Sequence, residues 1–128
     1  MEENLIVPVI REAQSRNLGQ IVTALADLTA RARNRRLKPA EMSGSTFTIS
    51  NLGMFGVESF TAIINPPESA IMAVGKMVDT PVKTADGFEF RPMIQLTVSA
   101  DHRIVDGAGV ARFLAELKSN LENPYLLI

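Results

Sequence analysis

Seven consecutive residues, Asp101-His102-Arg103-Ile104-Val105-Asp106-Gly107, gather the chain's single imidazole with two carboxylates and a guanidinium. An imidazole accepts and returns protons near neutral pH, so His102 is the candidate general base. A carboxylate beside an imidazole orients the ring and favours its charged form, which gives Asp101 and Asp106 a possible chemical role. The bland alternative stays open on pattern alone: a histidine at a strand end, followed by an aspartate that caps a helix. Metal binding by His102, Asp101 and Asp106 is a third option, and one imidazole with two carboxylates at this spacing is a poor transition-metal set. A serine hydrolase would need its nucleophile on a sharp elbow, and the sequence has no G-x-S-x-G. Ser50 precedes Asn51-Leu52-Gly53-Met54-Phe55-Gly56, whose two glycines permit close backbone approach without forming a dinucleotide fingerprint.

These residues need elements to hold them. Residues 46–50 alternate β-formers and predict a strand ending at Ser50. Residues 69–78 are almost wholly apolar, as a buried strand would be. Asp86-Gly87 predicts a hairpin turn into a strand over 88–100, which ends just before the Asp-His-Arg stretch. Val110, Phe113, Leu114 and Leu117 place one apolar face on a helix over 107–121, stopped by Pro124. Upstream, residues 5–10 read as an edge strand because Pro8 interrupts them. Ile21, Leu25, Leu28 and Ala32 predict a helix over 18–37. Its end carries Arg31, Arg33, Arg35, Arg36 and Lys38, either a solvated basic face or a phosphate contact. The order strand, helix, strand, strand, strand, helix predicts an α/β chain with a mixed, largely antiparallel sheet covered by helices.

Composition narrows the function classes. The 128 residues carry 13 Lys and Arg against 14 Asp and Glu, so no net field draws the chain to nucleic acid or an acidic membrane. Cysteine is absent and histidine occurs once, which excludes disulfides, zinc–thiolate sites, thiol nucleophiles and multi-histidine metal sites. No apolar run approaches the roughly 20 residues of a membrane span. The first residues lack the positive region of a signal peptide, and a reducing compartment is expected. The last residues, Tyr125-Leu126-Leu127-Ile128, are apolar and suggest a partner surface.

DHRIVDG resembles the DHRxxDG signature of the dihydrolipoyl acyltransferases, the E2 components of 2-oxoacid dehydrogenase complexes, with chloramphenicol acetyltransferase as a fold relative. TFTISNLGMFGVESFTAIINPPESAIMAVG, LIVPVIREA and LKPAEMSGSTFTISNLG are also similar to that family, in its order, so the resemblance covers essentially residues 1–128. It implies the C-terminal half of the catalytic domain, with the lipoyl and subunit-binding domains absent, and a chloramphenicol-acetyltransferase-like α+β two-layer half-domain.

The resemblance also implies roles. His102 would be the general base that deprotonates the thiol of coenzyme A or dihydrolipoamide, whose free pKa near 8.5 suits such a base. Ser50 would donate to the oxyanion. Asp106 would tune the site or hold its loop, while Asp101 and Arg103 would fix the backbone. Asn51, Met54 and Phe55 would line the channel or join the core. Coenzyme A and lipoamide are implied as substrates, with no metal. A homotrimer, a larger cage, lipoyl domains and the E1 and E3 components are implied as partners, with the serine and histidine supplied by neighbouring chains. The central segment is most like the acetyl-transferring members of pyruvate dehydrogenase complexes. Bacterial cytoplasm is the expected setting, with the mitochondrial matrix as the alternative. Two competing readings stand beside this one: an inactive core fragment that only oligomerises, and a small-molecule acyltransferase of the same fold.

Overall fold

A computed structural model describes residues 5–127. The described chain divides into two compact units: Thr46–Arg112, and the residues on either side of it.

The Thr46–Arg112 unit is built on a three-stranded sheet. Strand β1 (Phe47–Asn51) lies parallel to β2 (Ala70–Thr84), which turns back antiparallel into β3 (Gly87–Ala100), giving the order β1-β2-β3. The sheet is thus mixed, half parallel and half antiparallel by pairing. Its core is the first part of the central strand, where Ala70, Ile71, Met72 and Ala73 are buried between two neighbours. β2 runs six residues beyond the apolar stretch that predicts it. Those residues, Asp79-Thr80-Pro81-Val82-Lys83-Thr84, pair only with β3, because β1 reaches no further than Val74. An open edge tolerates Pro81, which donates nothing to a ladder. The hairpin closes through Ala85 and Asp86, with Gly87 at φ 138°, a conformation that favours glycine.

One irregularity shapes this sheet. Between Val74 and Met77, Gly75 and Lys76 face a single residue of β3, a β-bulge. A Cβ on Gly75 would lie 1.8 Å from the Glu58 carbonyl oxygen, so only glycine lets the 53–58 loop seat against the strand. That loop is fastened there by the Lys76 N–H donating to Val57 (2.8 Å) and by a Lys76–Glu58 ion pair (3.0 Å).

Outside this unit, α1 (Leu18–Arg33) starts on a reciprocal cap: the Gln20 N–H donates to Asn17 Oδ1 (2.9 Å) and the Asn17 N–H to Gln20 Oε1 (3.0 Å). It ends four residues earlier than its apolar period suggests. Arg35 adopts φ 53°, the Arg36 N–H donates to Arg31 (2.8 Å) and the Arg35 N–H to Ala32 (3.0 Å), a Schellman ending with arginine in the left-handed position. Arg31 forks between Asp27 (2.7 Å) and Glu41 (2.7 and 2.8 Å). Of the basic residues at the helix end it is therefore internally neutralised; Arg33, Arg35, Arg36 and Lys38 are exposed. The expected edge strand over 5–10 does not form. Val9 donates to Glu41 (2.8 Å), but Pro8 has no N–H and residues 5–10 join no ladder. Helix α2 (Gly107–Glu122) begins in the sheet unit and stops before Pro124.

Candidate functional site

His102 sits on a turn between β3 and α2, and the turn is fixed almost entirely by its neighbours. The Asp101 N–H donates to the Ser69 carbonyl (2.8 Å), tying the end of β3 to the start of β2. The Ile104 and Val105 N–H groups both donate to the Asp101 carbonyl (2.9 and 3.0 Å). The Asp101 carboxylate accepts from the Arg103 N–H (3.0 Å), Nε (3.0 Å) and Nη2 (2.6 Å). The Arg103 side chain and then its backbone N–H hold the Asp101 carboxyl down to about 2. His102 is left exposed at the tip of this closed loop.

Asp106 ends the turn and starts the next helix. Its Oδ1 accepts from the Gly109 N–H (2.7 Å), and its carbonyl accepts from the Val110 N–H (3.1 Å), so it caps α2. Among the described residues neither carboxylate hydrogen-bonds to the imidazole; one is taken by Arg103, the other by the helix. The sequence places acids beside His102, and the fold spends them on holding the loop. Among the described residues no three metal-ligating side chains cluster.

Ser50 lies half-buried on β1, opposite Ala73 on β2 and level with Thr97 on β3. Asp101 is level with Ser69, four residues back along β2 and two strand widths from Ser50. Strand rise and spacing put those two backbones roughly 16 Å apart. One copy of the chain therefore does not bring Ser50 and His102 into contact. Just beyond Ser50, Asn51 Oδ1 accepts from the Gly53 N–H (2.9 Å) and turns the loop. Asn51 and Met54 line an open cavity of about 330 Å³, together with Gly53, Val74, Gly75, Lys76, Met77 and Ile94. Phe55 does not line it and is not in the core either, being 75 % exposed.

Sequence reasoning passed over Glu68. It is the buried charged residue of the described chain, 4 % exposed, and accepts from Thr48 Oγ1 at 2.6 Å. An acidic residue just ahead of the almost wholly apolar stretch 69–78 was the available signal.

A mixed sheet that ends in an exposed, internally braced histidine turn defines an α/β protein with its candidate base on a strand-to-helix junction. The family can be named from comparison. A family model described as 2-oxoacid dehydrogenases acyltransferase (catalytic domain) matches residues 1–128, and the chain belongs to that family. It is 55 % identical over 123 residues to the mitochondrial dihydrolipoyllysine-residue acetyltransferase component of the pyruvate dehydrogenase complex of Schizosaccharomyces pombe, covering 94 % of this chain and 26 % of that protein. Among solved structures it is similar to the Azotobacter vinelandii dihydrolipoamide acetyltransferase, at 40 % identity and a TM-score of 0.88, covering 96 % of this chain and 51 % of that one. The cubic core of the pyruvate dehydrogenase multienzyme complex matches with the same identity, coverage and TM-score. The chain thus spans about a quarter of that curated relative and about half of those solved chains.

The Azotobacter structure concerns a serine, a histidine and an asparagine in the catalytic mechanism of that enzyme. There the histidine follows the serine by 52 residues and the asparagine follows the histidine by four. Ser50, His102 and Asp106 stand at the same two spacings, with an aspartate in place of the asparagine.

Proposed function

We propose that this chain takes part in transfer of an acyl group, acetyl by its relatives, between dihydrolipoamide and coenzyme A. His102 of one copy and Ser50 of another form the site. One observation carries the reading: Ser50, His102 and Asp106 repeat the spacing of the residues implicated in the Azotobacter acetyltransferase, while the register of a single sheet keeps Ser50 and His102 apart.

The His102 imidazole accepts the proton of the coenzyme A thiol. The thiolate sulfur attacks the acyl thioester carbonyl, forming a carbon–sulfur bond and moving the carbonyl electron pair onto oxygen. The Ser50 hydroxyl donates to that oxyanion. Collapse expels the dihydrolipoamide thiolate, which takes the proton back from the imidazolium. Asp101 and Arg103 hold the turn open to solvent, and Asp106 fixes its far end by capping α2. No metal is required by these steps.

The partners in this reading are further copies of the chain, as a homotrimer and a larger core like the cubic one its relative forms, together with lipoyl domains and the E1 and E3 components. No helix of the described residues is long and apolar enough to cross a membrane. The setting in this reading is the bacterial cytoplasm or the mitochondrial matrix, since relatives of this kind are bacterial and mitochondrial.

Steady-state kinetics of the assembled acyltransferase tests the reading. His102→Ala is expected to lower kcat by about 10²–10⁴-fold, the contribution of a general base. Ser50→Ala is expected to lower it by about 10²–10³-fold, the loss of one oxyanion donor. Wild-type rates in either variant would remove that residue from the mechanism.

A further inference from the structure

We propose that Glu68 is a positioning residue of this centre, holding β1 along its length so that Ser50 stands where an oxyanion would form. The inference rests on the reading of Ser50 and His102 given above. Burying a carboxylate is expensive unless hydrogen bonds compensate, and an apolar side chain of similar size would fill the same space without that penalty. A carboxyl group kept at 4 % exposure is therefore suited to a task that packing alone does not perform.

That task can be read from what Glu68 holds. Its carboxyl accepts from Thr48 Oγ1 at 2.6 Å, a short hydrogen bond. Thr48 and Ser50 are two residues apart on β1 and so share a face. Both are half-buried, while Phe47, Ile49 and Asn51 are exposed. The ladder to β2 binds β1 from the side. The Thr48–Glu68 bond ties it instead to the segment leading into β2. Glu68 is itself braced, its N–H donating to the Asn65 carbonyl (2.9 Å). The next residue, Ser69, accepts from Asp101, the residue before His102 (2.8 Å). Residues 68 and 69 thus link by side chain to the serine strand and by main chain to the histidine turn. An oxyanion donor must be held to within about 0.5 Å, so slack in β1 weakens it without touching substrate binding.

The test compares Glu68→Met, which removes the acceptor, with Thr48→Val and Thr48→Ser in the assembled acyltransferase, each alone and on Ser50→Ala. Glu68→Met and Thr48→Val are expected to lower kcat by about ten- to a hundredfold, as misplacement of a catalytic group does. The KM for coenzyme A stays put, and Thr48→Ser, which keeps the hydroxyl, stays close to wild type. On Ser50→Ala the same substitutions are expected to cause little further loss, because the group they position is gone. A full further loss on that background would overturn the proposal, as would unchanged kcat in folded Glu68→Met or a Thr48→Ser as impaired as Thr48→Val. If Glu68→Met fails to assemble, Thr48→Val removes the same bond and decides. A Ser50→Ala enzyme with wild-type activity sinks the functional reading and this proposal together, whereas an impaired Ser50→Ala with additive losses sinks this proposal alone.

Discussion

Asp106 stands at the spacing of the Azotobacter asparagine, and in this chain it caps α2. A short side-chain oxygen caps the helix equally well from aspartate or asparagine. Asp106→Asn is therefore expected to leave stability within a few tenths of a kcal/mol, while Asp106→Ala loses about 1 kcal/mol in chemical denaturation. Asp101 makes a different test. Its carboxyl lies at about 2 in the folded chain against an ordinary 3.8, held there first by the Arg103 side chain. The folded state thus favours the ionised form, so this contribution is fully present above about pH 4 and is lost as pH falls towards 2. A carboxyl-carbon titration should place the Asp101 midpoint near 2, and Asp101→Asn should flatten acid unfolding across that window. A midpoint near 4 would mean the Arg103 contacts do not persist in solution. At this scale the residues of the turn were legible in the sequence, since the one histidine and its flanking acids are conspicuous. The sequence could not show that both acids are engaged elsewhere, because Asp101 and Asp106 reach Arg103 and the Gly109 N–H only once the turn has formed.

Among the elements, the most informative is the end of α1. Arg35 at φ 53° occupies a position where an L side chain is strained and glycine is not. Arg35→Gly is expected to stabilise the folded chain by about 1 kcal/mol, read as a higher denaturation midpoint. An unchanged or lower midpoint would mean that the arginine side chain offsets the strain. Local pattern made α1, α2 and the hairpin legible, because capping residues, apolar period and an Asp-Gly pair are short-range signals. The parallel pairing of β1 with β2 was not legible, since it depends on a loop of residues 52–69 that carries no periodicity. The outer half of β2 was hidden by Pro81, tolerable only because β1 is too short to flank it. The false strand over 5–10 has the composition of a strand but no ladder to join. Gly75, visible only as a glycine in an apolar run, proved to be the point where the 53–58 loop touches the sheet.

For the molecule as a whole, the exposed apolar side chains carry the argument. Met54 is 85 % exposed beside the cavity, and Phe88 and Phe90 stand bare on the outer hairpin. Large apolar surface left open in this way marks an interaction surface. A centre divided between copies accounts for two observations together: Ser50 and His102 at the sequence spacing of the Azotobacter serine and histidine, and a sheet register that puts the Ser50 and Asp101 backbones roughly 16 Å apart. Subunit mixing tests this most directly. Ser50→Ala and His102→Ala chains, each nearly inactive, are combined under conditions that exchange subunits. If the site lies between copies, mixed assemblies regain intact sites and activity rises to about a quarter of wild type, the statistical share in a closed ring. If both groups act within one copy, every site keeps one defect and the mixture stays as inactive as its parts.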